Sequence, residues 1–391
     1  MKPMLLPFLS LLLLTGTSAA RGGSPAVSSP ETIFQRQTEG YHTFRIPSLT
    51  VTADGTLLAF AEGRRNSRSD TGDIDLVLRR STDGGKSWGP LITVWDDGEN
   101  VCGNPSAVVD RATGRIVLVT TWNLGSDHEK EINARTSKDT RRVFVLFSDD
   151  DGINWSSPRE ITASVKDPAW TWYATGPCHA VQLQKGKHKG RIVVPCDYGE
   201  FTGKGSVYHS LLIYSDDGGE SWHTGARSPV GGNESTAAEL SDGSVMLNMR
   251  GVRGPERERN GSCRSVAVSR DGGVTFGPVR HDTVLIEPVC QGSLLNYAPK
   301  GKPTRTLLFS NPASKSKRVD MTLRISRDNG RSWEQALKFD SRPAAYSDLA
   351  VLPGGDIGIL YETGEASPYE RIVFRTVPAS VITGKTKLSA Q

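Results

Sequence analysis

The chain has 391 residues, with 47 basic and 43 acidic side chains and a formal net charge of +4. So mild a balance argues against a nucleic-acid partner held by bulk charge, yet leaves an anionic small-molecule substrate open. Its 41 glycines and 22 prolines, with few long helical periodicities, suit many short strands joined by turns.

The first 20 residues carry Lys2, an apolar stretch from Met4 to Leu14 and the small-residue run Ser18-Ala19-Ala20. This pattern predicts a cleaved secretory signal, and hence a secreted or periplasmic protein. The stretch is too short to span a membrane, and no later one is long enough, so no transmembrane segment is expected. Residues 21–40 read as a linker and strand entry, and 41–391 as a single domain. Cys102, Cys178, Cys196, Cys263 and Cys290 would meet an oxidising compartment. They read either as buried thiols or as carrying a Cys178–Cys196 bridge between neighbouring strands.

Along this domain one turn motif recurs five times: Ser81–Trp88, Ser148–Trp155, Ser215–Trp222, Ser269–Phe276 and Ser326–Trp333. Its pattern is Ser-x-Asp-x-Gly-x-Ser/Thr-aromatic, with Asn154 as the departure. Asp can bond the backbone of its own turn, Gly supplies positive φ, and the aromatic anchors the turn on packed strands. Out of phase with it run apolar hairpins: Ser48–Phe60, Ser106–Thr120, Ala180–Pro195, Thr236–Asn248, Ser293–Phe309 and Ser347–Leu360. Six hairpins against five turns predict an all-β, six-bladed β-propeller with four antiparallel strands per blade, the last lacking its turn.

In such blades the start of the first strand and the end of the second share a face, and the third-to-fourth turn lies opposite. Functional groups should therefore precede the first strand or follow the second. Arg45, Glu234 and Tyr346 hold the first position; Arg64, Arg65, Asp70, Arg250, Arg318 and Glu362 follow second strands. Three arginines facing one point suit a planar carboxylate, because each offers paired donors in a fixed fork. A sugar with a carboxylate on its anomeric carbon would repel an anionic nucleophile, whereas the neutral phenol of Tyr346 avoids that. With an ordinary pKa near 10 it needs a base, for which Glu234 is placed. Asp70 could protonate the leaving oxygen.

At these residues the chain resembles the exo-α-sialidases (neuraminidases) of bacterial and animal type. The motifs that carry the resemblance are Arg45-Ile46-Pro47, the five Asp boxes, Asn233-Glu234-Ser235 followed by Arg250, and Ala345-Tyr346-Ser347-Asp348-Leu349. The resemblance implies a six-bladed propeller that releases terminal sialic acid from glycoproteins, glycolipids and oligosaccharides with net retention. A Tyr nucleophile is a recognised exception to the two-carboxylate rule of glycosidases. It further implies Arg45, Arg250 and Arg318 as the substrate-carboxylate site and Arg64 as a further pocket arginine. Glu362 would orient Arg45. Tyr346 would be nucleophile, Glu234 its base and Asp70 the acid/base, with Asp73 the alternative. No cofactor and no metal are implied, and the partner is a sialylated glycan.

Other groups have structural readings: Glu239 as a turn or packing residue, Arg65 and Arg68 as solvated, and Arg253, Arg257 and Arg259 as an exposed charged loop. Trp122, Trp170, Trp172 and Tyr198 could line the pocket. Three rivals share part of the pattern, of which an Asp-box propeller of another glycosidase type is disfavoured by the arginine trio. A trans-sialidase, intermolecular or intramolecular, differs in what attacks the intermediate, and an inactive sialic-acid lectin would need the arginines but not the nucleophile.

Overall fold

The computed structural model describes residues 27–385, apart from 204, 230 and 335. The predicted signal segment, residues 1–20, lies outside the described residues. The fold is all-β, with four short helices among the described residues, the longest being Glu129–Ala134. Strands follow one another antiparallel in groups of four. The first group is Thr43–Val51, Leu57–Arg64, Ile74–Ser81 and Ile92–Trp95. The second is Val101–Val109, Ile116–Asn123, Arg142–Ser148 and Arg159–Glu160. Ser48 faces Phe60, and Thr236 faces Asn248, as the hairpin reading expects.

The third group departs from that reading. Its inner strand is divided into Trp170–Thr175 and Val181–Gln182, both paired with Ile192–Phe201, which is followed by Ser206–Ser215 and His223–Arg227. The fourth group, Gly232–Glu239 to Arg280–Ile286, is regular. Ser293–Asn296, Leu307–Pro312 and Val319–Ser326 then lead into one long strand, Ala336–Val351. Its first half completes that group, and its second half opens the last one with Ile357–Thr363 and Arg371–Val377. The outer strand of the last group is Glu31–Gln35, from the other end of the chain. A fourth strand supplied from there needs no turn after the third, which is why the last group carries no Asp box.

The box turns close as their sequence requires. In the first, Asp83 Oδ1 accepts from the backbone N–H groups of Lys86 (3.0 Å) and Ser87 (2.9 Å), while Ser87 Oγ donates to Oδ2 at 2.6 Å. In the second, the departure at Asn154 is compensated, since its side-chain amide donates to Asp150 Oδ2 at 2.6 Å. Gly85 has φ +88°, and a Cβ there would lie 2.8 Å from a ring carbon of Phe374 in the last group. Only glycine lets the turn seat so closely. Each later turn takes a hydrogen bond from an arginine of the preceding group. Arg80 Nε donates to Asp151 O at 2.8 Å, Arg159 to Gly219 O at 2.8 Å, Arg191 to Gly272 O at 3.0 Å and Arg280 to Gly330 O at 2.7 Å.

The apolar core is distributed in the same order. Leu58, Phe60 and Leu78 pack with Ile116, Leu118 and Leu146, joining the first two groups. Successive clusters join second to third, third to fourth, fourth to fifth and fifth to last. One further cluster sets Ile33, Leu360 and Phe374 of the last group against Phe44, Leu49 and Leu57 of the first. At the inner edges the groups meet on Asp348, which is fully buried. It accepts from Leu49 N (2.8 Å), His179 N (2.8 Å) and Ser293 Oγ (2.8 Å), and pairs with His179 Nδ1 at 2.7 Å. The cysteine bridge is not formed: all five thiols are free and buried. Cys178 Sγ points to Ser235 O and Cys196 Sγ to Val194 O, so the two thiols are turned to different partners.

Two outcomes are expected. Asp348→Ala leaves buried N–H groups of separate strands without an acceptor, at about 1–3 kcal/mol each, so the denaturant midpoint should fall steeply; an unchanged midpoint would deny the cluster its role. The box carboxyls of Asp271 and Asp328 are lowered to about 2, burial opposing the hydroxyl and backbone hydrogen bonds that prevail. Depressed acids stabilise above the unfolded value near 4, and that stability is lost as pH falls through 2. The melting temperature should therefore drop between those limits, and drop less in Asp271→Asn.

Candidate active site

Of five inner strands with a register irregularity near their entrance, four aim a charged or polar side chain into a common cavity of about 1110 Å³. Those four irregularities lie between Arg45 and Ser48, Gly103 and Ser106, Gly232 and Ser235, and Ala344 and Ser347. The side chains delivered are Arg45, Asn104, Glu234 and Tyr346. An extra residue in a strand bends it and re-aims its neighbour, a common device beside functional sites. At the first, Ile46 has φ +59° and Pro47 has no N–H to lose, so the Arg-Ile-Pro sequence fits the distortion. Arg64 and Arg250 reach the same cavity from the ends of second strands, and Arg318 from just before a third. No residue of the five box turns lines it.

Tyr346, only 5% exposed, stands at the centre. Its hydroxyl donates to Glu234 Oε1 at 2.5 Å and accepts from Arg250 Nη1 at 3.1 Å. Arg250 also pairs with Glu234. The Arg45 and Arg318 guanidinium carbons lie 4.9 Å and 5.4 Å from the Tyr346 ring centre. Glu362 is fully buried behind Arg45, accepting from its Nε at 3.1 Å and from the backbone N–H groups of Ile46 (2.9 Å) and Tyr346 (3.2 Å). One carboxylate thus fixes both an arginine and the strand entrance carrying the tyrosine.

Asp70 stands at the exposed rim, its carboxylate 2.7 Å from Arg64 Nη2 and 3.6 Å from Arg45 Nη1. Desolvation in the pocket mouth works to raise its pKa, but Arg64 and then Arg45 outweigh it and hold the carboxyl below the usual range. Tyr346 is shifted the other way. Burial first, then the Glu234 charge, push its phenol far above its ordinary value, against the pull of the three arginines.

Seven of the eight residues expected from sequence line the cavity, and Glu362 supports one of them. Asp73 is directed elsewhere, to Arg65 at 3.2 Å. Glu239 accepts from the backbone of Gln184 (2.7 Å) and Lys185 (2.9 Å), a packing role. Arg65 is not merely solvated, for it bridges to Asp75 at 2.6 Å, and Arg68 lines the cavity. Arg257 is no exposed loop residue but pairs with buried Glu287 at 3.3 Å. Of the four aromatics, Trp172 lines the cavity, whereas Trp170 stacks on Tyr198 at 3.8 Å. Trp122 bonds Asp97 at 2.7 Å.

Sequence reasoning missed Glu62, Arg141, Asp197 and Tyr369. Glu62 lies two residues before Arg64, on the same face of its strand, and bonds it at 2.6 Å. Period-two spacing could have found it. Tyr369 takes a hydrogen bond from Arg318 at 2.9 Å and carries Arg45 over its ring at 4.5 Å, and no local signal marks it.

A BNR repeat-like domain matches residues 55–359. The chain is 35% identical to a sialidase of Micromonospora viridifaciens over 94% of its own length and 58% of that protein. It is 31% identical to mouse Sialidase-3, covering 90% of this chain and 94% of that one. The chain thus spans about three fifths of the bacterial relative but nearly all of the mouse one. A Hadza microbial sialidase superimposes with a TM-score of 0.79 at 30% identity, over 90% of this chain and 69% of that one. These matches define a BNR-repeat protein, and the chain belongs to the sialidase family. Among the described residues no helix is long and apolar enough to cross a membrane.

Glu362→Gln should strip the buried Arg45 of its main counter-charge. The expected cost is about 3 kcal/mol or more in stability, read as a shift in the denaturant midpoint. An unaltered midpoint would mean that Arg45 does not depend on Glu362.

Proposed function

We propose that this protein is a retaining exo-α-sialidase acting on sialylated glycans, and that its four-strand groups are the blades of a six-bladed propeller. The closing cluster between last and first groups, and the outer strand Glu31–Gln35, support the ring. The observation that carries the activity is the 2.5 Å hydrogen bond from Tyr346 to Glu234 within a ring of three guanidinium groups. A phenol pushed up so far is protonated at rest and attacks only as its proton passes to a base in contact with it.

In this reading Arg45, Arg250 and Arg318 hold the sugar carboxylate, with the anomeric carbon above Tyr346. The phenol oxygen bonds to that carbon as its proton moves to Glu234, and the bond to the aglycone oxygen breaks. Asp70 gives that oxygen its proton. Asp70 is ionised in the free protein, so it must first gain a proton. A substrate carboxylate on Arg45 offsets part of the positive field that keeps it ionised, and the pocket then favours the neutral acid. Water, deprotonated by Asp70, then cleaves the tyrosyl intermediate, and Tyr346 recovers its proton from Glu234. We further propose a cleaved secretory signal over residues 1–20 and a domain spanning 41–391, with Glu31–Gln35 added to its last sheet.

Proton NMR of sialyllactose with the purified protein tests this. Sialic acid released first as the α anomer is expected. The β anomer first would overturn the tyrosyl scheme, an anhydro sugar would favour the intramolecular rival, and unchanged substrate would favour a lectin. Tyr346→Phe should reduce kcat/KM by on the order of 100-fold or more at an unchanged melting temperature.

A further inference from the structure

At the end of the strands away from the cavity, each group turns from its first strand into its second, and these turns are unequal. Residues 110–115, 183–191 and 297–306, the turns of the second, third and fifth groups, hold nine lysines and arginines against one acid, Asp110. The turns of the first, fourth and last groups are shorter, and their charged residues are all acids, Asp54, Asp242 and Asp356. Hydrogen bonds gather the basic turns. The Gln182 amide donates to Asp110 Oδ1 at 2.7 Å and to Gly190 O at 3.1 Å, and accepts from Arg111 N at 2.9 Å, tying the second turn to the third. Arg111 Nη1 donates to Gly301 O at 3.2 Å, between Lys300 and Lys302, so the second and fifth turns touch although their groups share no strand pairing. Lys185 Nζ donates to Ser241 O, Ser241 N reaches Asn329 Oδ1 at 3.2 Å, and Asn329 N donates to Arg305 O at 2.9 Å, which links the third turn to the fifth. Arg115 and Arg191 pair with Glu220 (3.1 Å) and Asp216 (2.7 Å) beside a box turn. Arg111, Lys187, Lys189, Lys300, Lys302 and Arg305 are exposed, and none joins an ion pair among the described residues. Glu239, whose charge reaches Arg111 and Lys185, is buried and already accepts from two backbone N–H groups. Like charges gathered on tied turns repel, and the potential they create is one an anion relieves.

We propose that this end of the molecule is a docking surface for an acidic polysaccharide, a single flexible chain bearing sulfate or carboxylate groups. It stands apart from the sialidase reading, because no residue of these turns lines the cavity. The layout of charge selects the partner. A narrow chain can follow the cations alone, whereas a duplex or a bilayer would cover the whole end and meet Asp54, Asp242 and Asp356 as well. Nor do the turns offer what those partners use besides charge. They hold no Phe or Trp, and their one tyrosine, Tyr297, is buried with its hydroxyl on Gly355 O at 3.0 Å, which leaves no ring for a base to stack on. Leu183, Leu240 and Leu352 are buried, so none is presented to acyl chains. Four of the six exposed cations are lysines, and a point charge on a flexible stem can follow anions of irregular spacing. A chain bound here leaves the cavity mouth, at the other end, uncovered.

Heparin, a sulfated polysaccharide, serves as the probe, with binding measured by calorimetry over a range of salt. The proteins are wild type, the triple variant Lys187→Ala, Lys189→Ala, Lys302→Ala, and a control, Lys130→Ala, Lys138→Ala, Lys315→Ala, which removes the same charge from exposed positions at the cavity end. Wild type should bind heparin, more weakly as salt rises, and should not bind neutral dextran. The first variant should raise Kd by about tenfold or more and flatten the salt dependence, at an unchanged melting temperature. The control should stay within about twofold of wild type. Wild type that fails to bind heparin would overturn the assignment, and so would equal losses in the two variants, which would reduce the effect to net charge. Tighter binding of a DNA duplex or of phosphatidylserine vesicles than of heparin would overturn it in favour of a nucleic acid or a membrane surface.

Discussion

Much of this molecule hangs on the Asp348 carboxylate. It is buried and draws hydrogen bonds from Leu49, His179 and Ser293, residues of the first, third and fifth strand groups, while standing in the last. Flat sheets packed side by side through apolar clusters could slide against one another at small cost, because apolar contact is non-directional. Directional bonds to a single charged acceptor at the inner edges forbid that sliding. Asp348 is also two residues from Tyr346 on the same strand, so the group that registers the sheets registers the tyrosine with them.

That registration matters because the site is assembled from separate sheets. Glu234 and Arg250 come from the fourth group, Tyr346 from the last, Arg45, Arg64 and Asp70 from the first, and Arg318 from the fifth. Like charges brought so close repel, and the structure offsets this by placing Glu362, Glu62 and Glu234 against Arg45, Arg64 and Arg250. Arg318 is held by neutral acceptors, the Tyr369 hydroxyl and Val289 O at 3.0 Å. It keeps more of its charge uncompensated than Arg45, Arg64 or Arg250, as the proposed role in holding an anion would require.

How much of this could be read from the chain follows from how local each signal is. An Asp box is closed within eight residues by its own hydrogen bonds, so its recurrence showed in sequence. Arg45, Glu234, Tyr346 and Arg250 were legible because strand entrances and exits of like groups share a face. Arg141 and Asp197 were not, since the burial of each at the cavity is a property of packed sheets. The Cys178–Cys196 bridge failed for a related reason. Sequence neighbourhood put the thiols on adjacent strands, but the division of the inner strand into Trp170–Thr175 and Val181–Gln182 left Cys178 between the two pieces.

The strand Glu31–Gln35 closes the last sheet against Arg371–Val377, so the earliest of the described strands is paired with the latest. Contacts between such distant segments are slow to form, and no shorter nascent chain can make this one. Earlier groups can collapse pairwise during synthesis, but the final sheet stays one strand short, with an open edge, until the whole domain has emerged. The last sheet therefore gains its outer strand only after Arg371–Val377 has been made, later than the pairings within the groups before it.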